Sequence, residues 1–298
     1  MSDHVTMVEV GPRDGLQNEK LKLDSSVKIE LIHRLANCGI PVVEAGSFVS
    51  PKWVPQMADS ESVLTGIKPL PGTRYPVLVP NMAGFERAID AGATEIAVFT
   101  AASESFSKRN TNCSIDESLL RLKPVIERAK TAGLRVRGYV SCVLGCPYEG
   151  EVSTQAVTNV CSVLADMAVD EVSLGDTIGV GTPAVANALV KAVTDVVPVE
   201  QLAVHFHDTY GQALANILAC LDAGIRIIDS SVAGLGGCPY ANGATGNVAT
   251  EDVVYMLHGL GLETGVDLGA LAQTGDWISE QLQRPNHSRA GLALNLSR

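Results

Sequence analysis

DAGIRIIDSSV (residues 222–232) is one of four copies of a local pattern in which a helix end and a glycine lead into a short β-branched run that finishes in polar residues. The other copies are NCGIPVVEAGS (37–47), DAGATEIAVFTA (90–101) and TAGLRVRGYVS (131–141). In each, Gly39, Gly92, Gly133 or Gly224 stands where a helix closes in the left-handed conformation before a strand begins. Further strands are expected at Thr6–Val10, Tyr75–Val79, Glu171–Leu174 and Leu202–His207, which makes eight. Apolar 3.6-residue periodicity marks helices between them, among others at Ser26–Asn37, Ser114–Ala132, Thr154–Met167 and Pro183–Val196. Strict alternation of this kind demands a parallel sheet, and eight units predict an α/β fold closed as a single (β/α)8 TIM barrel. The whole chain, 1–298, reads as one catalytic domain, with the barrel over about 5–262 and extra C-terminal helices capping it over about 263–298. An open doubly wound sheet is the alternative, but it lacks the Gly-x-Gly-x-x-Gly fingerprint after its first strand.

Composition narrows the partners. With 46% hydrophobic and 18% charged residues the chain is globular, and its formal charge of −11 disfavours nucleic acid and anionic membranes. Any phosphate site must therefore be local. Seven scattered cysteines, an odd number, read as reduced thiols and not as a disulfide framework. The opening MSDHVTMVEVG carries no import signal, and no apolar run approaches the ~18 residues of a membrane span, so a cytoplasmic protein is expected.

A barrel places its chemistry at the C-terminal ends of the strands, and those ends are polar here. The first strand runs into Arg13-Asp14, followed by Gln17; others end at Glu44, Asn81, Ser173 with Thr177, and His205-Phe-His207. Side chains two apart on a strand share a face, so His205 and His207 both point into the barrel. They read as metal ligands or as hydrogen-bonded core histidines, and the cost of burying two imidazoles favours the metal. Asp14 and Asn247 complete a mixed nitrogen and oxygen set that suits Mg²⁺ or Mn²⁺, with Zn²⁺ or Co²⁺ still open. Cys142-x-x-x-Cys146 lacks the partners of a structural zinc site. Cys238, in the Gly-rich stretch after the last strand, is either a proton-exchanging thiol or an inert one. His4, His33, His258 and His287 read as surface or packing residues. The segment Ser103–Asn112 gathers Lys108, Arg109 and Asn110 in a loop, either as a solvated rim or as an anion site. Arg13, Gln17, Ser173, Thr177, Asn110 and Lys108 are the candidate substrate-binding residues. No P-loop is present to support ATP chemistry.

Three stretches, Val8-Glu-Val-Gly-Pro-Arg-Asp-Gly-Leu-Gln-Asn-Glu19, Val204-His-Phe-His-Asp-Thr-Tyr-Gly-Gln-Ala-Leu-Ala-Asn216 and Ser231-Val-Ala-Gly-Leu-Gly-Gly-Cys-Pro-Tyr-Ala241, resemble the 3-hydroxy-3-methylglutaryl-CoA lyase family. So do Arg137–Glu149 and Ser173–Thr182. The resemblance implies a barrel of the metal-dependent lyase and acyltransferase superfamily, a CoA thioester substrate, and cleavage to acetyl-CoA and acetoacetate, as in leucine degradation. It also implies a homodimer. By matching position, Asp14, His205, His207 and Asn247 would hold the metal, Arg13 and Cys238 would act on substrate, and Glu44 would support the site. Asp14, His205 or a water would take the hydroxyl proton. The alternatives are an acyltransferase of the isopropylmalate or homocitrate synthase type, which usually carries a longer C-terminal region, and a catalytically inactive metabolite-binding protein. The intact Arg-Asp, His-x-His and Asn set speaks against inactivity.

Overall fold

The computed structural model describes residues 3–237 and 246–296. All four glycines of the repeated pattern close helices as the sequence predicts, with φ of +89° at Gly39, +89° at Gly92, +76° at Gly133 and +100° at Gly224. Gly39 shows what the closure needs. Its amide donates to Ala36 O and the Ile40 amide to Leu35 O, and a Cβ at Gly39 would lie 2.2 Å from Gly265 O.

The strands are β1 (Thr6–Glu9), β2 (Val42–Val43), β3 (Gly46–Ser47), β4 (Val77–Leu78), β5 (Glu95–Ala101), β6 (Arg135–Ser141), β7 (Glu171–Asp176), β8 (Leu202–Phe206) and β9 (Ile227–Ser230). Every pairing is parallel, in the order β2-β1-β9-β8-β7-β6-β5-β4-β3. The two ends of that order, β2 and β3, are parted only by Glu44-Ala45 and form one stave. Glu44 N donates to Glu9 O and Ala45 N to Pro76 O, so the ring closes as an eight-stave TIM barrel.

The helices are α1 (Ser25–Asn37), α2 (Ser60–Gly66), α3 (Met82–Asp90), α4 (Glu104–Thr111), α5 (Ile115–Thr131), α6 (Thr154–Asp166), α7 (Pro183–Val193), α8 (Ala213–Asp222), α9 (Thr250–Gly259), α10 (Leu268–Gln281) and α11 (Arg289–Leu296). α4 corrects the reading of Ser103–Asn112 as a loop. Ser103 Oγ caps it by accepting from the Phe106 amide, and Asn112 ends it at φ +53°. The C-terminal helices are present, but α10 packs against α1, α9 and the turn after β9, filling the seam between the last and first barrel helices. The main apolar core lies between staves and helices, whereas inside the barrel the apolar side chains form small clusters, Val8 with Val10 and Val42, and Leu78 with Ala97 and Tyr139. The rest of the lumen admits charge: Arg137, 2% exposed, is held by Asp229 and Glu171.

Candidate active site

Gly11–Gly15 forms a single π-helical turn after β1, closed by the Gly15 amide on Val10 O at 3.1 Å. Such widened turns re-aim side chains and recur at functional sites; this one carries Arg13 and Asp14. Its start is fixed by the fully buried Glu9, whose carboxylate accepts from the amides of Gly11 (2.8 Å) and Val232 (2.9 Å) and from the Thr250 hydroxyl (2.6 Å). One carboxyl thereby joins the turns after β1 and β9 to the start of α9.

Burial pushes Glu9 up to about 7, against the lowering effect of those hydrogen bonds. The folded protein keeps this proton until about pH 7, whereas a glutamate of ordinary pKa, 4.5, releases it earlier. The unfolded state thus binds fewer protons between those values, and stability due to this group falls as pH rises through them. Glu9→Gln should lose less stability than the parent between pH 5 and pH 8, by up to about 3 kcal/mol. Urea denaturation at the two pH values tests this, and an identical pH dependence in both proteins would contradict it.

Asp14 sits between a cation and two imidazoles. Arg13 Nη1 donates to its Oδ1 at 2.7 Å, Asn247 Nδ2 donates to its Oδ2 at 2.8 Å, and His205 Nε2 lies 3.8 Å from Oδ2. Burial alone would raise its pKa, but Arg13 and then the two histidines hold it well below the usual carboxylate range. Ligand atoms of Asp14, His205 and His207 all lie within 4.8 Å of one another. Burial, followed by the neighbouring His205, pushes the His207 pKa down to about 4, so its imidazole is neutral at neutral pH.

Behind these groups stands a supporting layer. Asp229 Oδ2 lies 3.2 Å from His205 Nδ1, which assigns the ring proton to Nδ1 and turns Nε2 toward Asp14. Asp229 also accepts from Ser173 Oγ at 2.8 Å and Arg137 Nη2 at 2.5 Å. Arg13 Nε donates to Glu44 Oε2 at 2.7 Å. Burial disfavours the charged guanidinium, but Glu44 and Asp14 outweigh it and secure the charge. The Tyr139 ring lies between Arg13 and Arg137, with guanidinium carbons 5.4 and 4.9 Å from its centroid.

The site opens into a cavity of about 850 Å³, whose walls include Arg13, Asp14, Gln17, Asn110, Thr177, His205 and His207. Two expected substrate contacts lie elsewhere. Ser173 is fully buried with its hydroxyl committed to Asp229, and Lys108 stands exposed on α4, 3.9 Å from Glu104, outside the cavity wall. Glu44 lies behind Arg13. Cys238 falls outside the described residues, although its neighbour Gly237 lines the cavity. Sequence reading missed Arg137, Tyr139 and Asp229. The spacing Arg137-x-Tyr139 is the same shared-face signal that singled out His205-x-His207.

Two imidazoles and a carboxylate at this separation suit a divalent cation, and with the closed barrel they define a (β/α)8 enzyme whose catalytic face fits one. The HMGL-like family matches residues 4–278. The mitochondrial hydroxymethylglutaryl-CoA lyase of Arabidopsis thaliana is 62% identical over 98% of this chain, which spans 62% of that protein's length. A solved hydroxymethylglutaryl-CoA lyase from Pseudomonas aeruginosa superposes with TM-score 0.98 at 57% identity, covering 100% of this chain and 99% of that one. An HMG-CoA lyase from Acinetobacter baumannii, solved in complex with coenzyme A and 3-methylmalate, is 36% identical with TM-score 0.94, covering 98% of this chain and 96% of that one. The chain belongs to the hydroxymethylglutaryl-CoA lyase family and is a carbon–carbon lyase.

Proposed function

We propose that this enzyme cleaves 3-hydroxy-3-methylglutaryl-CoA to acetyl-CoA and acetoacetate, with Asp14, His205, His207 and Asn247 holding Mg²⁺ or Mn²⁺. The observation that carries the residue assignment is the convergence of Asp14, His205 and His207 beside Arg13 on the wall of one cavity. A divalent cation bound there would supply Lewis-acid polarisation of substrate oxygens. Breaking the C2–C3 bond of a tertiary alcohol needs the hydroxyl proton removed and negative charge accommodated on the departing acetyl thioester. Arg13, permanently charged and aimed by Glu44, supplies the charge partner for that thioester oxygen. Gln17, Asn110 and Thr177 line the same space, which supports assigning them to the acyl-CoA. Among the described residues no helix is long and apolar enough to cross a membrane, and six described cysteines are free, which supports a reducing compartment. We place the enzyme in the cytoplasm; relatives include cytoplasmic and mitochondrial forms. The family resemblance also supports a homodimer, which light scattering of the purified protein checks. Incubation of metal-loaded protein with the CoA thioester and assay of acetoacetate tests the reaction, and absence of product would refute it.

Cys238 is assigned the proton delivered to the departing carbon, on its sequence place next to Gly237 of the cavity wall. Serine keeps the size but raises the donor pKa by several units, so Cys238→Ser should lower turnover on the order of 10²-fold with metal affinity intact. Steady-state kinetics decide it, and wild-type turnover would return proton delivery to water or His205.

A further inference from the structure

The C-terminal segment reaches the catalytic face. Past α10, Arg284 Nη1 donates to Glu19 Oε1, five residues beyond Asp14, and both side chains are largely buried at 13% and 16% exposure. Arg284 Nη2 donates to Gly234 O at 3.4 Å and to His287 Nδ1 at 2.8 Å. The same Glu19 oxygen accepts from the Gly236 amide at 3.5 Å, and the His287 amide donates to Ala233 O at 3.2 Å.

These contacts converge on residues 233–236, which also hold a site residue. Leu235 O accepts from Asn247 Nδ2 at 3.3 Å, and that amide nitrogen also donates to Asp14 Oδ2. Gly236, at φ +109°, is threaded closely enough that a Cβ on it would lie 3.0 Å from Asn247 Nδ2. A shift of a few tenths of an ångström in this backbone is therefore transmitted to the Asn247 amide. Ala233 is also left-handed, at φ +55°, a conformation a non-glycine residue keeps only where surrounding contacts impose it. Its carbonyl is held by His287, and its amide by both oxygens of the buried Glu251 at 3.0 and 2.9 Å.

We propose that Arg284 is a positioning residue for the proposed metal site: its fork fastens Glu19 and the backbone of residues 233–236, and through Leu235 it sets the Asn247 amide against Asp14. This inference rests on the reading of Asp14, His205, His207 and Asn247 as the cation site. Its range is short because each link is a direct hydrogen bond. A lysine at 284 would keep the ion pair with Glu19 but lose the planar fork that also reaches Gly234 O and His287.

The test measures Mn²⁺ binding to substrate-free protein by calorimetry, together with kcat, KM and thermal melting, for the parent, Arg284→Met, Arg284→Lys and Glu19→Gln. The expected result is Mn²⁺ affinity weakened about tenfold in Arg284→Met, in the range of outer-shell changes at metal sites. kcat should fall with it and KM move less, while Arg284→Lys lies between Arg284→Met and the parent. Glu19→Gln with Arg284→Met should cost little more than Arg284→Met alone, since both break one link. Should Arg284→Met fail to fold, Arg284→Lys and Glu19→Gln carry the test. Parental Mn²⁺ affinity and kcat in the folded variants would overturn the proposal, as would losses that only track the unfolded fraction in the melting curves. A parent protein that binds no Mn²⁺ would instead overturn the reading of the cation site itself.

Discussion

Arg13→Lys should lower kcat on the order of 10²-fold or more while KM changes less. The reason is geometric as well as electrostatic. Arg13 uses two different nitrogens, Nε on Glu44 Oε2 and Nη1 on Asp14 Oδ1, each at 2.7 Å. A single ammonium has no planar fork with which to reproduce both contacts and also face the substrate. Whichever carboxylate the lysine abandons is left short of its partner, and Glu44 is fully buried. Burial raises the Glu44 pKa and Arg13 is the main group opposing that rise, so loss of the contact moves Glu44 further toward its neutral form. The lysine variant therefore retains charge near the site but loses its aim. Steady-state kinetics on protein shown to melt normally would decide the matter, and an effect confined to KM would make Arg13 a ground-state binding residue.

What the sequence revealed and what it hid follow from the range of the interactions concerned. The barrel was legible because its signals are local: Gly39, Gly92, Gly133 and Gly224 each close a helix through contacts within six residues. His205 and His207 were legible for the same reason, since strand alternation puts them on one face. The layer behind them depends on contacts between distant residues. His205 meets Asp229 24 positions away, and Asp229 meets Arg137 92 positions away. Nothing local to Asp229 distinguishes it from an exposed strand-end aspartate, and buried charge inside a barrel contradicts the usual expectation of packed aliphatic layers. Ser173 was misplaced because alternation gives a side chain's face but not its depth; it lies below the cavity, against Asp229. Lys108 was misplaced because the segment is a helix, α4, in which Asn110 and Arg109 line the cavity and Lys108 does not. The course of α10 and the return of Arg284 to Glu19, 265 positions back along the chain, belong to the same long-range class.

Removal of divalent cations should abolish turnover, and Mg²⁺ or Mn²⁺ should restore it. His207→Ala should weaken metal affinity by at least about 100-fold, because loss of even an outer-shell partner typically costs 10–100-fold and His207 is assigned as a direct ligand. The environment of His207 supports that ranking. Its imidazole is held neutral by burial, so the ring nitrogen offered to a cation carries no proton to be displaced near pH 7. Asp14 is ionised across the same range, since Arg13 and the histidines hold its pKa low despite burial. The contribution of His207 to affinity should therefore be lost only in acid, as its ring takes up a proton near pH 4. Asp229→Asn disturbs His205 from behind and leaves all four proposed direct ligands in place, so its loss of affinity should be smaller than that of His207→Ala. Calorimetric titration of the two variants with Mn²⁺ in the absence of substrate gives both constants. Unchanged affinity in His207→Ala would remove it from the ligand set, and full activity of rigorously metal-free protein would refute the cation site altogether.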